Sequence, residues 1–248
     1  MADFKDSTLW RISEFERVRS SGGAVSSLAA AGPTLLPTTL IADLRQLQRE
    51  ATPNDVLEVM AACLRHKESA LLYLECGPFV WPVTLFPLQQ LYHSPRDVPE
   101  VAARIGLSRL KLISLERPGL RPPGHSMHDR VAAREKYHPM PALLWAVALD
   151  GPRNTLLNEI SGRAAYRLAP GRASDMAVPP GALAPAVARL RNESTSLREI
   201  AAWPGMSVGR ASRLLNALYL TDALMVTRSH PAARNEPTGW RGLLGRRR

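Results

Sequence analysis

His125 and His128 stand three residues apart, with Asp129 beside the second, and are the most ligand-like pair in the 248 residues. Neutral imidazole suits zinc, and two such rings on one helical turn would share a face. Pro122, Pro123 and Gly124 come immediately before, which predicts a loop, and no third or fourth ligand follows at a recognisable spacing. Cys63 and His66 form a second set with Cys76 and His93, but their separations of 3, 10 and 17 match no zinc ribbon or finger. Cys63 also falls in an apolar helical stripe, where a thiol serves as a small core residue. The expectation is no metal and no cofactor. Catalytic motifs are missing too: there is no Gly-x-Ser-x-Gly elbow, no phosphate loop and no dinucleotide fingerprint. Glu75 and Asp97 are single acids without a partner at a usable spacing. The expected class is therefore non-enzymatic.

The remaining chemistry is cationic. Lys and Arg number 32 against 22 Asp and Glu, a net charge of +10. Residues 1–100 carry 9 basic against 12 acidic side chains, and residues 101–248 carry 23 against 10. A charge confined to one part of a chain directs a field towards a polyanion. Only four of the basic residues are lysine, a bias in an Ala-, Pro- and Leu-rich chain that carries no chemistry of its own. A helix is predicted after Ser207, with Val208, Ala211, Leu214, Leu215 and Leu218 as its core stripe. Gly209, Arg210, Ser212, Arg213 and Asn216 then face outwards. Arg and Asn can make paired contacts to guanine or adenine edges, and small residues let the backbone approach closely. Arg228 and the tail residues Arg246, Arg247 and Arg248 add charges that contact phosphates without reading sequence. The candidate DNA-binding set is thus Arg210, Arg213, Ser212, Asn216, Arg228, Arg246, Arg247 and Arg248. The same surface suits a regulatory protein partner instead, with Tyr219 and Leu220 as the apolar strip.

The elements that must position these residues are legible in part. Residues 1–33 read as a flexible arm whose Leu9, Ile12 and Phe15 can dock on a partner or on the chain's own body. Helices are expected at 39–50 and after Thr52-Pro53, the latter with Asp55 in its first turn. Strands are expected at 70–74, at 79–86 and at 110–115. Pro82 argues that the second is an edge strand or bulged, so that Phe79–Pro87 is either a partner-binding edge or a buried strand. A short helix opens at Asp97, residues 117–139 are loop, and a helix runs from Met140 to a stop at Gly151. Leu183, Val187 and Leu190 mark a helix, as does Leu197–Ala201, and Leu224–Arg228 reads as a strand. Three short helices and a terminal β element, with a short turn before the third helix, describe a helix-turn-helix with a wing.

The stretch S-L-R-E-I-A-A-x-P-G-M-S-V-G-R-A-S-R-L-L-N-A-L-Y-L-T-D-A-L-M-V, within Ser196–Arg228, resembles bacterial winged-helix modules. Residues Pro141–Ser229 are similar to the C-terminal part of uncharacterised proteobacterial regulatory proteins associated with small-GTPase and Roadblock-type systems. The resemblance covers about a seventh of the chain at its firmest, and its residues are structural, so it implies a fold more than an activity. The expected class is α+β: an arm over 1–33, a mixed α/β regulatory or interaction domain over 34–170, and a linker over 171–180. A winged helix over 181–230 and a basic flexible tail over 231–248 complete it. No apolar run reaches the length of a membrane span, and the first 25 residues lack a secretory h-region, so the expected location is cytoplasmic. A homodimer or a regulatory partner is the expected input to the first domain.

Overall fold

The computed structural model describes residues 9–20, 36–49, 55–171 and 181–234. The chain mixes helices with antiparallel sheets, as expected of the α+β class, and divides into two units, Met1–Arg153 and Asn154–Arg248. The division falls upstream of the 171–180 stretch picked from sequence, whose residues 172–180 lie outside the described residues.

In the first unit the elements run Trp10–Arg11 (β1), Ile12–Ser20 (α1), Thr38–Arg49 (α2), Val56–His66 (α3), Ala70–Cys76 (β2), Phe79–Phe86 (β3) and Leu91–His93 (β4). Val98–Arg104 (α4), Lys111–Glu116 (β5), Tyr137–Pro139 (β6) and Met140–Asp150 (α5) follow. The sheet order is β5-β2-β3-β4-β6, with β1 added against β3. Period-two alternation decides which residues go inside. Ala70, Leu72, Leu74 and Cys76 of β2 are buried to 1% exposure or less and pair across to Leu85, Val83, Trp81 and Phe79. The opposite face is covered by α1: Phe15 meets Tyr73 at 4.9 Å between ring centres, with Val80, Ile12, Leu71 and Ile113 around them. Residues 9–20 are therefore not a free arm but dock on their own sheet, while 1–8 and 21–33 lie outside the described residues.

Pro82 does not make β3 an edge. The strand is internal, and its prolyl nitrogen is tolerated because on the side away from β2, β1 covers Phe79 and Val80 while β4 covers Thr84 to Phe86. Pro82 falls in the gap between them, where no ladder donor is needed. The Phe79–Pro87 stretch is largely buried rather than a partner-binding edge. Helix α3 is capped by Asp55, whose Oδ1 accepts from Leu57 N and Glu58 N at 2.9 and 3.2 Å; Thr52 and Pro53 lie outside the described residues. Arg153, at the end of the unit, pairs with Asp55 at 2.6 Å and with the buried Glu58 at 2.9 Å, compensating charges that would be costly alone.

The second unit holds Ala165–Leu168 (β7), Leu183–Asn192 (α6), Thr195–Ser196 (β8), Leu197–Ala201 (α7), Val208–Leu220 (α8), Leu224–Thr227 (β9) and Pro231–Arg234 (α9). Its sheet order is β8-β7-β9, all antiparallel. The strand expected after the third helix exists as β9. Its partner, however, is β7 from before the helices, and among the described residues no later strand returns along it. The segment 154–170, assigned from sequence to the first domain, supplies the central strand of the second.

Candidate functional site

Helix α8 is the centre of the second unit, and its start is set by Ser207, whose Oγ accepts from Arg210 N at 3.2 Å. Helix α7, which packs against it, begins at a capping box. Ser196 Oγ accepts from Glu199 N at 3.4 Å, and the Glu199 carboxylate accepts from Ser196 N at 2.9 Å. The Ser196 backbone bond, with a further bond from Thr195, holds the Glu199 carboxyl below its ordinary range. One stripe of α8 is core as expected, since Ala211, Leu214, Leu215 and Leu218 are fully buried. Val208 is not part of it and stands 59% exposed at the first turn.

A second stripe, Gly209, Ser212, Asn216 and Tyr219, recurs at helical spacing and is not the solvent face that its polarity suggests. Ser212 is 1% exposed and Asn216 is 0% exposed. The segment 154–160 lies along this stripe. Asn216 Oδ1 accepts from Leu157 N, and its Nδ2 donates to Thr155 O, both at 2.9 Å. A Cβ placed at Gly209 would stand 3.6 Å from that of Asn154, and Tyr219 Oη donates to the Glu159 carboxylate. Ser212 and Asn216 are thus withdrawn from any base-reading role: both are buried, Asn216 supplies partners for the peptide groups of the strap, and the Ser212 hydroxyl is enclosed without a hydrogen-bond partner among the described residues. The apolar strip offered for a partner protein is also absent: Leu220 is buried at 7% exposure and the Tyr219 hydroxyl is engaged.

Among the described residues the candidate cations do not form one patch. Arg210 is exposed, and its Nη1 donates to Gly205 O at 2.8 Å, while Arg213 is half-buried. Arg228 is exposed, but its guanidinium donates to Ser161 O at 3.0 Å and Glu159 O at 2.9 Å, which ties it to the Tyr219 end of α8. Arg210 and Tyr219 are separated along the helix by roughly 14 Å at 1.5 Å per residue. Arg246, Arg247 and Arg248 lie outside the described residues. What the sequence reading missed is Arg189 of α6, whose guanidinium lies 5.1 Å from the ring centre of Trp203, in the turn between α7 and α8. A Trp-Pro-Gly turn with an arginine fourteen positions upstream has no periodic spacing to reveal it.

In the first unit the thiol and imidazole candidates stay apart. Both cysteines are free and buried; burial pushes the Cys63 thiol up to about 12 and raises that of Cys76. His93 is 5% exposed, and burial lowers its imidazole to about 4, with His138 and Lys136 adding to the effect. His66 Nε2 lies 3.0 Å from Asp43. His125 Nδ1 accepts from Met127 N at 3.1 Å, and His128 is exposed. Among the described residues no three His, Cys, Asp or Glu side chains gather as a metal ion would need. An open groove of about 580 Å³ beside α1 is lined by Arg11, Ile12, Ser13, Glu16, Pro78 and Phe79, none of them among the candidate metal ligands or DNA-binding residues. No described helix is long and apolar enough to cross a membrane. Comparison with family models, with curated proteins and with solved structures finds no match.

Proposed function

We propose that this chain is a non-enzymatic regulatory protein whose second unit is a winged-helix-like module that binds DNA through the first turn of α8 and the turn before it. The observation that carries the reading is the placement of Arg210. It is the exposed cation at the capped start of the helix that follows a short helix and turn, in a unit where residues 154–234 hold ten arginines, five carboxylates and no lysine. Such a surface meets phosphate first. With Asn216 bonded to the strap and Ser212 buried, base readout falls to Arg210 and Arg213, so sequence preference is expected to be weak. A cytoplasmic, bacterial setting belongs to the same reading. A partner protein is the second reading, favoured by Val208, an apolar side chain left 59% exposed on that first turn.

The test is a salt titration of duplex binding for the wild type and an Arg210→Ala/Arg213→Ala pair, with thermal midpoints confirming that both fold. The affinity of the wild type should fall steeply with salt, and the double variant should lose about 1–3 kcal/mol per base contact removed. Absence of measurable duplex binding by the wild type at low salt overturns the DNA reading. The partner reading then stands or falls on whether Val208→Glu abolishes association.

A further inference from the structure

We propose that Arg189 of α6 is a phosphate-binding residue of this same surface, held in place by Trp203; the inference rests on the DNA reading above. Two guanidinium groups grip one turn from two elements. Arg189 lies over the Trp203 ring at 5.1 Å, and Arg210 reaches back from α8 to Gly205 O at 2.8 Å. Gly205 brings the start of α6 against the same turn. It has φ +73°, and a Cβ there would stand 2.8 Å from that of Ala182, so only glycine fits both the conformation and the approach. The three elements therefore hold the two cations on one short stretch, Trp203 to Gly205.

Each cation is anchored by a single interaction and keeps donors to spare. The indole ring attracts the Arg189 charge without offering a carbonyl or carboxylate acceptor to its five N–H groups, while Arg210 spends one nitrogen on Gly205. Among the described residues neither is in an ion pair. A planar cation that has already lost its rotamer freedom is well suited to a phosphate oxygen pair, because the ordering cost is met before the ligand arrives. The ligand is the duplex backbone, so the contribution of Arg189 does not depend on base sequence.

The experiment measures fluorescence anisotropy of the full chain with two unrelated labelled duplexes between 50 and 200 mM salt. Arg189→Ala should weaken both duplexes alike, about three- to tenfold, and flatten the slope of log affinity against log salt by about 0.9, the loss of one phosphate contact. Trp203→Leu should act in the same direction, Trp203→Phe should restore most of the affinity, and Arg189→Ala with Trp203→Leu should cost no more than Arg189→Ala alone. An unchanged slope in Arg189→Ala, with Arg210→Ala weakened, removes Arg189 from the surface and leaves the DNA reading standing. Additive losses from the Arg189 and Trp203 variants overturn the positioning by Trp203. If the wild type binds neither duplex at low salt, this inference falls together with the reading it rests on.

Discussion

His93 shows how far burial can move a side chain from its ordinary chemistry. It sits on β4 with its ring 5.1 Å from that of Tyr137, and burial beside His138 and Lys136 lowers its imidazole from 6.5 to about 4. The unfolded chain therefore takes up a proton at higher pH than the folded one. The contribution of His93 to stability is complete above about pH 6.5 and is lost as pH falls towards 4, a swing of up to about 3 kcal/mol. Denaturant midpoints measured from pH 7.5 to 4 should fall less steeply for His93→Gln than for the wild type. Parallel curves would show that the imidazole has no such role. None of this is visible in a lone histidine three residues after Gln90, because the shift comes from β4 lying between β3 and β6.

At the scale of the element, α8 is a helix with two inward stripes rather than one. Leucine and alanine at helical spacing announced the first. The second is polar and small, the signature of a solvated face, and only the strap 154–160 turns it inside. The distinction has a measurable consequence. Asn216→Ala leaves the Leu157 N–H and the Thr155 carbonyl without their side-chain partner in a buried position, which should cost about 2–4 kcal/mol of stability. The variant that remains folded should keep the salt slope of the wild type for duplex binding. A variant of unchanged stability and weakened duplex affinity would return Asn216 to the binding surface. Helix starts were legible for a related reason: Asp97, Ser196 and Ser207 cap α4, α7 and α8 by accepting from the backbone N–H three residues on, and such local chemistry is written in local sequence.

For the molecule as a whole, the division after Arg153 makes a prediction about what folds alone. The 181–230 block suggested by the helix-turn-helix pattern lacks β7, the strand that both β8 and β9 pair with, and it lacks the strap that satisfies Asn216. A chain of residues 154–248 should therefore unfold in one cooperative thermal transition, whereas 181–248 should show weak or no cooperativity. Equal cooperativity in both pieces would mean that β7 is dispensable to this unit.

The amino-acid sequence by itself determined the class of the fold, the main strands β2, β3 and β5, and most helices with their caps. It also determined the concentration of positive charge beyond residue 100. These follow from periodicity, turn chemistry and counting, all of which act over a few residues. Only the tertiary structure decided that Trp10–Ser20 docks on its own sheet, that 154–170 belongs with the helices it precedes, and that Ser212 and Asn216 are interior. It alone set Arg189 over Trp203. The physical reason is common to all four. A polar side chain, a short strand and an amphipathic arm each have a solvated and a packed alternative of similar local free energy, and contacts between distant segments choose between them.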